Sequence, residues 1–396
     1  MNELALHNLK EGMIVAEDVM TRGGQRVLEK GKVLTKQSIM RLSFYNIKSV
    51  VVEDEAPAPE APVAEKPTEP VAPAQPTPEK PAEPVAEKPV EPVTEKPAEA
   101  QKPQKVNTLR MQTSRKVQSF QIDHSIVLNT MKTSLEGYVN TGAPLDTQLL
   151  VSRVKDLFDS CKTALELFNM LHSMHTSNDS IYSHSLNVAL ICRQIGKWLK
   201  VDDATLDLYT LCGILHDIGK LKIPEEILNK PGKYTDEEFA KVRMHTQYGY
   251  DLLEPLPIDD HVKKAALSHH ERCDGSGYPM GIPKAVTDSC AMIVAIADVY
   301  DAMTAARSYR APLCPFQVIE KFEKEGLQKY NPKYILTFLS QVAGTYQNSR
   351  VLLSDGRSAS IVMINQQNLS KPIVRLDDST CIDLSTQSDL GIQVVL

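Results

Sequence analysis

A mainly α-helical fold, carrying a small α+β piece at one end and a small β piece at the other, is what this 396-residue sequence predicts. Three observations carry that expectation. From about residue 120 to 345, apolar residues recur at three- and four-residue steps, the spacing of helices with a buried face. Between 55 and 105 the composition switches to Pro, Glu, Lys, Ala and Val, with no aromatic residue. Towards both ends, short runs of β-branched and aliphatic residues are punctuated by glycine turns.

The helical signal is the most extensive. Leu150, Val154, Leu157, Cys161, Leu165 and Phe168 trace one buried face, and His184, Val188, Ile191, Ile195 and Trp198 trace another. A further helix is expected from 289 to about 306, around the apolar run from Cys290 through Ala297. Strand signals are scarce here, so 106–345 reads as one helical domain. Ahead of it, Glu-Lys-Pro recurs at 65–67, 79–81, 87–89 and 95–97. Frequent proline favours polyproline II and the mixed charges stay solvated, so 55–105 cannot offset its folding entropy and should be a disordered linker. Fully stretched at ~3.1 Å per residue it would reach about 150 Å. A tract docking a proline-binding partner is the alternative for this segment.

Residues 1–54 read as a small α+β accessory or regulatory module. Gly12-Met13-Ile14-Val15 starts a strand-like run, Gly23-Gly24 a turn, Ile39 and Leu42 a helix over about 35–45, and Val50-Val51-Val52 a closing strand. Residues 346–396 read as a small β subdomain. Its strands are expected at Val351-Leu352-Leu353, 359–364 and Ile373-Val374-Arg375-Leu376, with a hairpin turn at Asp355-Gly356.

Bulk properties narrow the function. A formal charge of −6 argues against a broad nucleic-acid surface, which needs clustered Lys and Arg. The seven cysteines are odd in number, scattered and free of CxxC pairs, which fits a reducing cytosol. No apolar run approaches the ~18 residues of a membrane span, and the first residues lack signal-peptide character. A cytoplasmic location is expected.

Chemistry concentrates between 180 and 310. His184, His216, His245, His269 and His270 sit beside polar or charged neighbours in a region otherwise rich in apolar helices. His216-Asp217 follows the apolar run Gly213-Ile214-Leu215. His269-His270-Glu271-Arg272 enters the loop Asp274-Gly275-Ser276-Gly277-Tyr278-Pro279, whose residues demand a turn. Asp298 ends an apolar run, where an unpaired carboxylate would be costly. Mixed imidazole and carboxylate ligands suit iron, manganese or zinc better than calcium.

These stretches, together with His184-Ser185-Leu186-Asn187-Val188, His216-Asp217-Ile218-Gly219-Lys220, Lys230-Pro231-Gly232 and Ala297-Asp298-Val299-Tyr300-Asp301, resemble the HD-GYP branch of the HD phosphohydrolase superfamily. The resemblance covers about 175–345, and its ordered combination of motifs is specific where an isolated His-Asp pair is not. It implies a helical HD-type fold and hydrolysis of cyclic di-GMP to linear pGpG, GMP or both. It implies metal ligation by His184, His216, Asp217, His245, His269, His270 and Asp298, with Asp217 bridging two divalent transition-metal ions. Iron or manganese is expected there, with zinc or nickel as alternatives.

By the same resemblance Lys220 acts with Asp217 in catalysis and touches the scissile phosphate, Tyr278 lies at the guanine-binding face, and Arg307 and Arg310 hold the nucleotide. Glu271 and Arg272 are expected to support the ligands, Asp274 to cap the glycine turn or shuttle protons, and Asp301 to pair with an arginine. Some relatives carry a glutamate four residues before the first ligand histidine. Here that position is Ser180, a poor ligand for a hard metal, so two metals are expected rather than three. Two other readings stand beside this one: a phosphodiesterase for 3',3'-cyclic GMP-AMP or for both cyclic dinucleotides, and an inactive receptor. A homodimer, or a protein partner taken up through the N-terminal module or the linker, completes the expectations.

Overall fold

The structure is a computed structural model that describes residues 2–5, 8–20, 26–35, 38–39, 42, 47–53, 115–174, 181–230, 232–305, 312–325 and 327–396. The linker expected at 55–105, the Gly23-Gly24 turn and most of the helix expected at 35–45 lie outside the described residues.

At the N-terminal end, strand β1 (Asn2–Ala5) pairs antiparallel with β4 (Ser49–Val52), Asn2 opposite Val52 and Ala5 opposite Ser49. The closing strand is thus present, but its partner is the first few residues rather than the Gly12–15 run. Ile14 and Val15 make only isolated bridges, to Val33 and Val52. Gly12 turns the chain at φ 90° and donates its N–H to the Leu34 carbonyl, which prevents a regular strand from starting there. Strands β2 (Val19–Met20) and β3 (Arg26–Leu28) form a second short pair. Val15, Leu34, Leu42, Val50 and Val52 bury one small core of their own.

The helical region runs α1 (Arg115–Thr141), α2 (Thr147–Asp159), α3 (Ala164–Met174), α4 (Ile181–Leu199) and α5 (Asp203–Leu215). A 3₁₀ segment (Ile218–Lys222) then leads to α6 (Glu225–Leu228), α7 (Asp236–Arg243), α8 (His245–Leu253), α9 (Asp260–Ser268), α10 (Ser289–Thr304), α11 (Pro315–Glu325) and α12 (Pro332–Thr345). The face read from Leu150 to Phe168 belongs to two helices, not one. Ser160 Oγ donates to the Leu157 carbonyl and ends α2, while Thr163 Oγ1 accepts the Glu166 N–H and starts α3. Hydroxyls that compete for backbone groups break a helix without disturbing its apolar phase. Leu150, Val154, Leu157 and Phe168 are therefore all buried, on two helices.

Helix α4 is central rather than amphipathic: every side chain from His184 to Gly196 is buried. It packs against α5 and α10. Helix α10 carries the fully buried run from Cys290 to Asp298. A five-stranded antiparallel sheet follows, in the order β8-β7-β6-β5-β9, from β5 (Arg350–Leu353), β6 (Ser358–Met363), β7 (Ile373–Leu376), β8 (Cys381–Asp383) and β9 (Ile392–Val395). Three of these strands match the sequence expectation. The other two, β8 and β9, are short and interrupted by polar residues, so their pattern is not distinctive alone. Val351, Leu353, Ala359, Ile361 and Val374 share one continuous core with the helices.

Candidate metal centre

Local structure explains why the histidines converge. Helix α5 stops at Leu215, with His216 as its C-terminal cap and Asp217 at φ −104°, ψ 10°. The 3₁₀ segment that follows lies directly against α8. A Cβ on Gly219 would stand 1.9 Å from the His245 carbonyl oxygen and 2.4 Å from the Gly249 nitrogen, so only glycine permits this approach. That contact sets His245 beside Asp217. Helix α9 ends at Ser268, leaving His269 as its cap and His270 next to it. The glycine loop folds back on this pair, where a Gly277 Cβ would meet the His270 carbonyl oxygen at 2.4 Å. Glu271 fastens the loop, its carboxylate accepting the N–H groups of Met280, Gly281 and Ile282 at 2.7, 3.1 and 3.0 Å. Burial pushes the Glu271 carboxyl above its ordinary pKa, against the pull of those three donors.

All seven residues expected to bind metal come together, in two groups. Asp217, His245, His269 and His270 offer ligand atoms within 4.8 Å of one another, and so do His184, His216 and Asp298. Asp217 spans both groups. Its Oδ1 lies 3.3 Å from His245 Nε2 and 3.7 Å from His269 Nε2, and its Oδ2 lies 3.3 Å from His216 Nε2 and 3.7 Å from His184 Nε2.

The hydrogen bonds decide what these atoms can accept. His216 Nδ1 donates to the Gly213 carbonyl at 2.8 Å, His245 Nδ1 to Val242 at 2.6 Å, and His269 Nδ1 to Ala265 at 3.0 Å. A carbonyl only accepts, so Nδ1 carries the hydrogen in each ring, and in a neutral ring Nε2 presents a lone pair. The Nε2 atoms of His245 and His269 face each other at 3.4 Å. His216 Nε2 and Asp217 Oδ1 are buried without a hydrogen bond among the described residues. Burial takes the His245 pKa down to about 4 and those of His269 and His270 well below the usual range, so these rings are neutral at pH 7. Converging lone pairs around a buried carboxylate need a cation, and Nδ1 fixed by a backbone carbonyl is the arrangement that orients a metal-binding imidazole.

Charge points the same way. Burial alone would raise the pKa of Asp217, but Lys220 and the surrounding imidazoles hold it well below the usual carboxylate range. Asp298 is likewise held down against burial by His184 and His270. His184 donates through Nδ1 to Asp301 Oδ2 at 2.8 Å, and its Nε2 lies 3.1 Å from Asp298 Oδ1. Burial works to lower the His184 pKa, yet these two carboxylates carry it up to about 10. A proton at Nε2 thus does there what a metal ion would do. The donor set fits divalent transition metals.

The remaining candidates sort as follows. Lys220 donates to Asp217 Oδ2. Tyr278 rests on His270, ring centroids 4.5 Å apart at 26°, and burial raises its phenol pKa. Arg272 donates to the carbonyls of His269 and Glu271 and lies 5.2 Å over the Tyr330 ring. Asp274 is exposed and accepts the Ser276 N–H and hydroxyl, the turn-capping arrangement. Asp301 accepts a hydrogen bond from His184 Nδ1, and Arg307 and Arg310, which could pair with it, lie outside the described residues. The place of Asp301 one turn beyond Asp298 keeps both carboxylates on the α4 side of α10. Ser180 also lies outside the described residues.

Arg243 was not singled out in the sequence, although its guanidinium lies 4.6 Å over the Tyr278 ring. Its position two residues before His245 was the available signal. A third group of ligand-type side chains, His261, Asp288 and Cys290, gathers at the start of α10. There the carboxylate is already used: Asp288 caps the helix through the Cys290 N–H at 2.8 Å and accepts His261 Nδ1 at 2.7 Å.

Residues 166–334 match a family model described as HD domain. Over this segment the chain is similar to HD domains. The segment contains every residue of the two converging groups. A cyclic di-GMP phosphodiesterase of Pseudomonas aeruginosa is 32% identical over 236 residues, 59% of this chain and 57% of that protein. A cyclic di-GMP phosphodiesterase of Thermotoga maritima is 34% identical over 177 residues, 44% of this chain and 48% of its own. The 3'3'-cGAMP-specific phosphodiesterase 1 of Vibrio cholerae is 36% identical over 156 residues, 39% of this chain and 36% of its own. The chain therefore spans about half or less of the length of these curated relatives. Among the described residues, no helix is long and apolar enough to cross a membrane.

Proposed function

We propose that this protein is a metal-dependent phosphodiesterase that hydrolyses a cyclic dinucleotide, cyclic di-GMP foremost, to pGpG, GMP or both. The observation that carries the proposal is the Asp217 carboxylate, which reaches both groups of histidines while the Nε2 lone pairs of His216, His245 and His269 turn inward. Two divalent ions, iron or manganese in this reading, would be held by His184, His216, Asp217, His245, His269, His270 and Asp298. Such a pair lowers the pKa of a water and neutralises phosphate oxygens.

The chain's own residues supply the rest. The Lys220 ammonium stands where negative charge grows on the phosphate, and a preorganised cation in a dry site is worth several kcal/mol of barrier. Glu271 keeps the glycine loop against the ligands, Arg272 ties the carbonyls behind them, and Asp301 sets the tautomer of His184. Tyr278 forms the wall on the nucleotide side, and Arg307 and Arg310 are assigned to nucleotide binding by their motif positions.

A second substrate, 3',3'-cyclic GMP-AMP, is favoured by one observation, the similarity to a relative whose name specifies that nucleotide. The division into 1–54, 55–105, 106–345 and 346–396, a cytoplasmic location, and a homodimer or protein partner engaged through the N-terminal module or linker belong to the same reading. The separate core of the N-terminal strands supports the first of these boundaries, and the seven unpaired cysteines support the location.

The test is hydrolysis of both cyclic dinucleotides with Mn²⁺ or Fe²⁺, products separated by chromatography, beside elemental analysis of the protein. Wild type should contain transition metal and cleave cyclic di-GMP. Asp217→Ala should lose at least about a thousandfold in turnover and most of its metal with its helix content kept. Tight nucleotide binding without turnover by metal-loaded wild type would instead support the receptor reading.

A further inference from the structure

Arg243 closes α7 at the edge of the metal centre and is exposed to solvent. Its guanidinium carbon lies 4.6 Å over the Tyr278 ring and 5.8 Å over the Phe239 ring. Tyr278 in turn stacks on His270. A continuous row of planar groups therefore leads from solvent to the candidate ligands: Arg243, Tyr278, His270. Phe239 stands edge-on to Tyr278 at 6.4 Å and is 45% exposed, so a ring face is open to solvent beside Arg243.

The charges at this edge are unequal. Lys220 is engaged by Asp217. Arg243 has no carboxylate partner among the described residues, and the aromatic faces beneath it fix its fork without consuming its donors. A guanidinium seated over a ring, with free N–H groups and an exposed ring alongside, is equipped to bind a phosphate and the base next to it. A cyclic dinucleotide has two phosphodiesters on opposite sides of one ring, so when one lies at the metal centre the other must be held elsewhere.

We propose that Arg243 holds the phosphate that is not being cleaved, that Phe239 carries the adjoining base, and that Tyr278 positions Arg243; this rests on the cyclic-dinucleotide phosphodiesterase reading above. The site thereby selects for a substrate with a second phosphate.

Steady-state kinetics on two substrates test it: cyclic di-GMP, and bis(p-nitrophenyl) phosphate, which has one phosphodiester and no second phosphate. Arg243→Ala should raise KM for cyclic di-GMP by about 10- to 100-fold with kcat within about threefold, as loss of a charge-assisted hydrogen bond predicts. Arg243→Lys, which keeps the charge but not the planar fork, should recover part of that loss. Phe239→Ala should raise KM severalfold. For the small diester the loss of kcat/KM in Arg243→Ala should be at least tenfold smaller than for cyclic di-GMP. Equal losses on both substrates, a fall in kcat at unchanged KM, or loss of bound metal in Arg243→Ala would overturn the assignment, since each would place the effect in the ligand shell. Wild type that cleaves the small diester but neither cyclic dinucleotide would overturn the substrate reading together with this one. That outcome is distinct from wild type that cleaves them while the variants lose both substrates alike.

Discussion

Helix α10 bears a His–Asp pair at each end, and the two pairs differ instructively. At its start, His261 Nδ1 meets Asp288 at 2.7 Å; nearer its end, His184 Nδ1 meets Asp301 at 2.8 Å. Residue types and distances are nearly the same. The His261 side chain is half exposed, however, and Asp288 spends its other oxygen on the first turn of the helix. His184 is buried, and its second nitrogen points at Asp298 and Asp217, two further carboxylates. One pair is a satisfied clasp between α9 and α10. The other leaves acceptors crowded around a point from which water is excluded, a situation that only a proton or a metal ion relieves. A ligand site is marked by what its atoms still need, more than by which residues compose it.

Three experiments would break or sharpen that contrast. The largest effect is expected at the buried pair. Asp301→Asn weakens the hold on the His184 tautomer, and transition-metal affinity should fall about 10- to 100-fold in a competition titration with a coloured chelator. An unchanged affinity would reduce Asp301 to the same clasp role as Asp288.

The second experiment concerns pH. In the metal-free protein His184 keeps its proton up to about pH 10, whereas burial keeps His245 deprotonated down to about pH 4. Metal must displace the His184 proton. As pH falls from about 9 to 6, affinity should therefore drop by up to about tenfold per unit, with one proton released per ion taken up at that group. Calorimetry in buffers of different ionisation enthalpy counts that proton. The slope should flatten in Asp301→Asn, because removing one of the carboxylates lowers the His184 pKa.

The smallest effect is expected at the exposed pair. Asp288→Ala removes a helix cap and should cost about 1 kcal/mol in chemical denaturation. Its metal content should stay within error of wild type. A measurable loss of bound metal there would erase the distinction between the two ends of the helix.

Much of the site is legible in the sequence, for a physical reason. His216-Asp217 and the string from His269 to Pro279 are local in sequence because cap, ligand and turn are consecutive parts of one short segment. The hydrophobic run of α10 announced that Asp298 would be buried and would need a partner. What sequence did not reveal depends on groups far apart along the chain. His184 and Asp301 are 117 positions apart, so their contact could not be read from local spacing. The Ser160 and Thr163 hydroxyls cut one apparent helix into two while leaving its apolar spacing intact. Strands β8 and β9 are defined by the neighbours they join, with β9 lying along β5 from Val395 opposite Val351. Arg243 was passed over because a surface arginine carries no signal until its aromatic support is visible.

Glu271 adjoins the ligand pair in sequence and clasps Met280, Gly281 and Ile282 across the loop. The glycine-rich stretch is in this way riveted to the stem that bears the two imidazoles, rather than swinging over them like a flap. On the proposed function, pressure from an arriving nucleotide on the aromatic tip would pass to the histidines behind it through a few short bonds, so recognition and reactivity would share one mechanical frame.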